Sequence, residues 1–209
     1  MKNKSLLFLA ILLSTTSLFA QHDIKVNLFG LGFNNYGMSY EYIINDEMSA
    51  GVFIDYSENS IYSNIITYGI EGDPFSMEGY QYYRFCISPE VRFYSNPEYG
   101  ADKRFFSFYV RYKNTVYNDI SFYETNNEIK YGTTNKQFGI GLATGQKWIT
   151  NSGIYFETYI GIGRMLSSNL VYDNAYVENE FNNGSNEYVY ESFWDVRFQF
   201  AIGYRIGGY

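Results

Sequence analysis

The chain has 209 residues, a formal net charge of −7 and an aromatic content of 21%. This acidic balance argues against a nucleic-acid partner, because binding to nucleic acid depends on basic patches. The single cysteine, Cys86, excludes an internal disulfide, and one cysteine with one histidine offers few soft metal ligands. We therefore expect no nucleic acid, no metal and no cofactor.

The N-terminal segment has the pattern of a secretory signal peptide. Two lysines stand near its start, residues 6–13 are apolar, and the small Ala20 lies at the expected cleavage site. An apolar run of this length is too short for a membrane helix, which needs about 20 residues. We therefore expect residues 1–20 to be removed and residues 21–209 to form one domain.

The rest of the chain consists of segments in which apolar and polar residues alternate, as they do in β-strands with one apolar face. In chain order these segments are residues 23–31, 36–44, 48–56, 81–93, 105–113, 136–145, 154–163 and 194–206. Most of them have the length of about 9–11 residues that a membrane-crossing strand needs. We expect the last segment to pair with the first and so to close a barrel.

The links between these segments are of two kinds, and the two kinds alternate. The short links are residues 45–47, 95–104 and 149–153, and the long polar links are residues 58–79, 118–134 and 168–190. Outer-membrane barrels have short periplasmic turns and longer external loops. The pattern predicts an all-β fold, an eight-stranded antiparallel up-and-down transmembrane β-barrel.

The polar face of the predicted strands carries charges of both signs. The residues expected to form a structural, lumen-facing polar network are Lys25, Glu41, Asp55, Arg84, Glu90, Arg92, Arg111, Lys113, Glu157, Asp195, Arg197 and Arg205. In a narrow lumen such charges can neutralise one another, and glycines such as Gly141 and Gly163 leave room for long side chains. A soluble lipocalin-like carrier, with this face in water, is the alternative.

Residues 24–54 contain, in order, an N-x-x-G-L segment, G-x-S-Y-E-Y, an N-D turn and an S-x-G-V strand. The matching residues are Asn27, Gly30, Leu31, Gly37, Ser39, Tyr40, Glu41, Tyr42, Asn45, Asp46, Ser49, Gly51 and Val52. This pattern resembles small Gram-negative outer-membrane β-barrel families of the OmpX/OmpW-like type, one of which is a domain of unknown function. The resemblance implies contact with outer-membrane lipid and lipopolysaccharide and insertion by the barrel assembly machinery, for which Tyr209 is similar to the usual terminal aromatic. It transfers no catalytic residue.

Functional residues are few. Enzymatic barrels rely on a histidine as acid or base, and we expect His22, the only histidine, to be a disordered terminal residue. The three long links contain eleven acidic residues against Lys130 alone, so a divalent cation or a protein partner at these loops is a further hypothesis. We expect a monomeric, non-enzymatic barrel with a structural, adhesive or binding role. The alternatives are a narrow pore or transporter for small or hydrophobic solutes and a lipid-modifying enzyme.

Overall fold

The computed structural model describes residues 21–58, 81–124, 127–183 and 193–207. The predicted signal peptide, Tyr209, nearly all of the 58–79 link and the end of the 168–190 link lie outside these residues. No helix in the described ranges is long and apolar enough to cross a membrane.

Eight antiparallel strands pair in chain order and close into a barrel, which confirms the predicted fold. The strands are β1 (His22–Asn27), β2 (Asn35–Asn45), β3 (Met48–Glu58), β4 (Gln81–Ser95), β5 (Lys103–Glu124), β6 (Asn127–Ile149), β7 (Ile154–Tyr172) and β8 (Trp194–Ile206). Two helices, α1 (Leu28–Leu31) and α2 (Ala175–Asn183), lie in the connections. The last strand pairs with the first as predicted, with Val26 opposite Ile202, so the sheet has no open edge at the seam.

The first strand is shorter than the predicted segment 23–31. β1 ends at Asn27, and α1 follows as a single helical turn. The Phe29 ring packs edge-on against Phe198 of β8 with 4.9 Å between centroids. Gly30 approaches the backbone so closely that a Cβ there would lie 2.5 Å from the carbonyl oxygen of Asn35. Phe29 therefore packs against β8, and the chain turns at α1 instead of extending β1.

Strands β5, β6 and β7 are longer than predicted, and the assignment of residues 118–134 to a loop was wrong. β5 and β6 continue as a paired ladder as far as Glu124 and Asn127, with one register shift after Tyr117. Their residues there are polar, but many are β-branched or aromatic, and such residues pair well in strands. β7 also runs on to Tyr172, so three strands form an extension at the loop end of the barrel.

The two faces of the barrel wall differ sharply. Outward-pointing side chains are apolar and exposed over most of the strand length, among them Phe108, Ile140, Ile160, Ile162 and Phe198. The inward side chains are mostly polar or charged, and most of those are buried. Water-soluble monomers rarely expose a contiguous apolar patch of more than a few hundred Å². The arrangement of interior and surface is therefore the reverse of that in a water-soluble domain.

Candidate functional site

The barrel interior is the part of the molecule in which charged groups converge. Ten of the twelve residues predicted to face it are buried: Lys25, Glu41, Asp55, Glu90, Arg92, Arg111, Glu157, Asp195, Arg197 and Arg205. The other two, Arg84 and Lys113, are partly exposed. These side chains, with two more from the ends of β1 and β6, separate into two groups along the barrel axis.

The first group, here the turn-side network, lies nearer the short turns and contains equal numbers of acids and bases. Its members are Asp23, Lys25, Glu41, Glu90, Arg92, Lys147, Glu157 and Arg205, and each forms an ion pair with another member. Lys147 Nζ is 2.9 Å from Asp23 Oδ2 and 2.9 Å from Glu41 Oε2, and Lys25 pairs with Glu157. The charges of this network therefore neutralise one another.

Arg92 connects three carboxylates in the turn-side network. Its Nη1 donates to Glu157 Oε2 at 2.8 Å and to Glu41 Oε2 at 3.2 Å. Its Nη2 lies 2.5 Å from Glu90 Oε1. The guanidinium also lies over the Phe105 ring, 4.4 Å from the centroid, where the negative ring face attracts a cation. The planar fork of arginine allows these contacts at once, which a lysine could not provide.

The connection between β4 and β5 covers the turn end of the interior. Arg205 Nη1 donates to the carbonyl oxygen of Tyr99 at 2.8 Å, and Nη2 donates to that of Ala101 at 3.1 Å. The backbone N–H of Ala101 donates to the carbonyl oxygen of Asp46 at 2.7 Å. Ala101 is completely buried as a result. This turn therefore lies across the barrel end and is held by β8.

The second group, here the loop-side cluster, lies nearer the long connections. Its members are Asp55, Arg84, Arg111, Lys113, Asp195 and Arg197. Arg111 Nη2 is 3.1 Å from Asp55 Oδ2, and Arg111 Nε is 3.5 Å from Asp195 Oδ1. Arg84 Nη2 reaches Asp55 Oδ1 at 3.6 Å. The cluster thus contains two carboxylates and four basic side chains.

Aromatic rings surround the Arg197 guanidinium. Its central carbon lies 4.6 Å from the ring centroid of Tyr109, 4.9 Å from that of Tyr159 and 5.0 Å from that of Phe53. Its Nη1 donates to Tyr159 Oη at 2.9 Å. The Tyr109 ring fills the space above Gly141, where any Cβ would overlap it. The expectation that glycines on the polar face make room for long side chains is confirmed at this position.

Sequence reasoning missed several interior residues. Asp23 and Lys147 are fully buried and belong to the turn-side network, and large tyrosines such as Tyr155 and Tyr159 fill the space between charges. The predicted sixth strand ended two residues before Lys147, so continuing the same alternation would have found it. The signal for the inward tyrosines was glycine at facing positions, such as Gly203 directly opposite Tyr155.

The structure also describes the histidine and the cysteine of the chain. His22 begins β1 and is not a disordered terminal residue, so that expectation was wrong. Its Nδ1 lies 2.7 Å from Tyr40 Oη, and both side chains occupy outward positions, away from the interior carboxylates. Cys86 is a free, buried thiol. Among residues that the structure describes, no cluster of three or more His, Cys, Asp or Glu side chains could hold a metal ion.

Comparison with solved structures supports the fold. A major outer membrane protein from Thermus thermophilus has a TM-score of 0.56 at 10% identity, covering 90% of this chain and 99% of that chain. CarO2 and CarO of Acinetobacter baumannii have TM-scores of 0.41 and 0.38 at 9% and 12% identity. Each covers 90% of this chain, which in turn covers 98% of CarO2 and 96% of CarO. At such identities the Thermus likeness is one of fold alone.

Comparison at the level of sequence gives the family. No curated protein matches the chain. The family model described as "Protein of unknown function (DUF3575)" matches residues 5–204. The expected resemblance to a domain-of-unknown-function family is therefore confirmed, whereas the OmpX/OmpW-like type stays a prediction. Because the match covers nearly the whole chain, the protein belongs to the DUF3575 family.

Proposed function

We propose that the protein is a non-enzymatic, integral β-barrel of the bacterial outer membrane that anchors a surface structure with an adhesive, structural or binding role. The main support is the reversal of the two faces, with exposed apolar side chains outside and buried ion pairs inside. Closed β-barrels and helices are the structures that leave no backbone group unpaired in lipid. A soluble carrier would gain nothing from so large an apolar surface.

The height of the apolar surface supports the membrane proposal. On β5 the outward residues Phe106, Phe108, Val110 and Tyr112 lie between two polar residues, the exposed Arg104 and the half-buried Asn114. The ten residue steps from Arg104 to Asn114, at about 3.3 Å each and tilted by about 40°, correspond to roughly 25 Å along the barrel axis. That is the height of the apolar band of outer-membrane barrels.

The filled interior argues for an anchor and against a pore. Eight strands enclose a space about wide enough for side chains, and here Arg92, Lys147, Tyr155 and Tyr159 occupy it with almost no exposed surface. An open channel would need several of these ion pairs to break together. We therefore expect purified protein in planar bilayers to show no steady conductance, whereas ohmic channels would favour the narrow pore or transporter.

The binding role is assigned to the loop end. There β5, β6 and β7 extend beyond the level of Lys136, whose side chain points outward and is exposed. At this end Asp173 Oδ1 accepts a hydrogen bond of 2.7 Å from the N–H of Gly132. This bond ties the start of the last long connection to β6. The extended strands and the acidic loops would meet a protein partner or divalent cations bridging to lipopolysaccharide.

Membrane fractionation tests this proposal directly. We expect the protein in the outer-membrane fraction, as a monomer delivered by the signal peptide and barrel assembly machinery, with different gel mobility in boiled and unboiled samples. A soluble periplasmic product without that shift would instead support the lipocalin-like carrier. Limited proteolysis with and without EDTA tests the cation bridge. If EDTA does not change the protection of the loops from protease, the cation bridge is contradicted.

A catalytic role has its own test. A lipid-modifying enzyme would turn over outer-membrane lipid, and replacing His22 with alanine would abolish that turnover. We expect lipid composition to be the same with wild-type protein, with the His22→Ala variant and with an empty vector. A change that depends on His22 would contradict the non-enzymatic assignment.

A further inference from the structure

The loop-side cluster has too few acids for its bases, and we propose that it binds an oxyanion with the charge of a phosphate group. Among the residues that the structure describes, its four basic residues, Arg84, Arg111, Lys113 and Arg197, face only Asp55 and Asp195. This inference goes beyond the proposed anchor function, because an anchor needs only a neutral interior. It concerns a site for a small solute that enters from the loop end.

The contrast with the turn-side network locates the charge imbalance. There each of the four bases lies within 4 Å of a carboxylate, and four carboxylates balance them. In the loop-side cluster, neither Lys113 nor Arg197 forms an ion pair with any acid in the described part of the chain. The surplus is therefore two positive charges within a largely buried region, where an isolated charge is costly.

Unsatisfied hydrogen-bond donors point to where an anion would bind. Nε of Arg84 and Nε of Arg111 are buried and have no hydrogen-bond partner among the residues described. The contact of Arg111 Nε with Asp195 at 3.5 Å is an ion pair without the geometry of a hydrogen bond. The Arg111 side chain is only 7% exposed, so water offers little compensation. Leaving a buried donor without a partner is unfavourable, and one acceptor bound between the two guanidinium groups would satisfy both.

These donors belong to neighbouring positions on the inner wall. Arg84 and Arg111 both reach Asp55, which fixes their guanidinium groups close together. Lys113 follows Arg111 on the same face of β5, and its Cα pairs with that of Cys86, which in turn pairs with that of Asp55. The ammonium and two guanidinium groups thus come from one patch of two adjacent strands, β4 and β5, beside Asp55 of β3.

The patch can be reached from the loop end. Arg84 has 14% of its side chain exposed, more than its partners Asp55 and Arg111, and Lys113 is also partly exposed. Below them the aromatic rings around Arg197 and the turn-side network fill the interior. A small anion could therefore contact Arg84 and Lys113 without displacing the core. Lipid headgroups face the outer wall and cannot reach this inner surface.

The surplus favours phosphate over a carboxylate. Two positive charges match a phosphate dianion, whereas a carboxylate would neutralise one of them. Arginine forks bind phosphate oxygens in a two-pronged manner, and lysine binds them as a point charge.

The test is calorimetric titration of the purified full-length barrel in detergent with inorganic phosphate, and in parallel with acetate, at constant ionic strength. We expect saturable binding of one phosphate and weaker binding of acetate. Lys113→Met removes a base without leaving an acid unpaired and should weaken phosphate binding about tenfold or more. Lys136→Met removes an exposed, outward lysine from the next strand and should leave it unchanged.

A second pair of variants keeps the test decisive if Lys113→Met does not fold. Arg84→Gln should also weaken phosphate binding, whereas Asp195→Asn enlarges the surplus and should strengthen it. Each variant is used only if its unboiled band shows the mobility shift of the folded barrel. The proposal is overturned if wild-type protein shows no saturable phosphate binding, or if Lys113→Met and Lys136→Met behave alike. Tighter binding of acetate than of phosphate would overturn the assignment of ligand class.

Discussion

Arg205 of β8 and Asp23 of β1 join the last and first strands of the barrel by a two-pronged ion pair. Nε and Nη2 of Arg205 donate to Oδ1 and Oδ2 of Asp23 at 2.7 and 2.8 Å. The two residues lie directly opposite each other in the β1–β8 ladder. The same guanidinium also holds the carbonyl of Tyr99 in the turn below. One side chain therefore stabilises both the closing seam and the cover over the turn end.

Replacing Arg205 should weaken the barrel as a whole. We expect Arg205→Met to lower the free energy of unfolding by about 3–5 kcal/mol, because a buried carboxylate loses its forked partner. Arg205→Lys should lose less, since it keeps the charge but not the fork. Urea unfolding in lipid vesicles, followed by tryptophan fluorescence, measures both. The control is Arg104→Met at an exposed outward position, and an Arg205→Lys variant as stable as the wild-type protein would contradict the role of the fork.

Lys147 should be the most sensitive lysine of the barrel. It lies fully buried between Asp23 and Glu41, so Lys147→Met leaves two carboxylates short of a partner and should cost about 3–5 kcal/mol. The control is Lys103→Met, which breaks an exposed pair with Glu98 and should cost about 0–1 kcal/mol. Similar losses in the two variants, measured by the same urea unfolding, would show that the buried network does not stabilise the fold.

Gly141 should not tolerate even a methyl group. A Cβ there would overlap the Tyr109 ring, so we expect Gly141→Ala to destabilise the barrel by about 1–3 kcal/mol through overpacking. Adding Tyr109→Leu in the same chain should recover part of that loss. Gly32→Ala is the matched control, because its nearest heavy atom would be 3.8 Å away. The temperature at which the unboiled gel band disappears reports all three, and no recovery in the double variant would exclude the steric explanation.

Two outward residues of β7 separate a membrane barrel from a soluble one. Ile160 is 57% exposed and Val171 is 52% exposed, so a soluble barrel would accept arginine equally at both. In a membrane, Ile160→Arg lies within the apolar band and should cost about 2–4 kcal/mol, whereas Val171→Arg lies in the extension and should cost about 0–1 kcal/mol. Unfolding in vesicles measures the difference. Equal tolerance of the two substitutions would falsify the transmembrane placement.

Much of the fold could be predicted because a strand with one apolar face has a local signature. Alternation of period two identified all eight strands, and short turns between them indicated hairpins paired in chain order. The predicted strand ends were wrong where the local sequence pattern did not match the surroundings of the residues in the fold. Residues 28–31 were predicted to continue β1, but they form a helical turn whose Phe29 ring packs on β8. Residues 118–124 and 127–134 were predicted to be a loop because they are polar, but they pair as strands.

The candidate site was less predictable than the fold. Alternation predicts which side chains share a face, and it singled out twelve charged positions, but it does not say which charges meet. The partners of Lys147 are Asp23 and Glu41, 124 and 106 positions away. Such contacts depend on the stagger between strands and on the closure of the ring.

By itself, the sequence determined the strand number, the separation of an apolar from a charged face and the family, since these depend on neighbours along the chain. Only the tertiary structure decided that one set of interior charges is balanced and another is not. The reason is physical: ion pairs form between side chains brought within about 4 Å, and in this barrel that distance is set by strands from opposite ends of the chain. The surplus around Arg111 and Lys113 could be recognised only after those pairs were known.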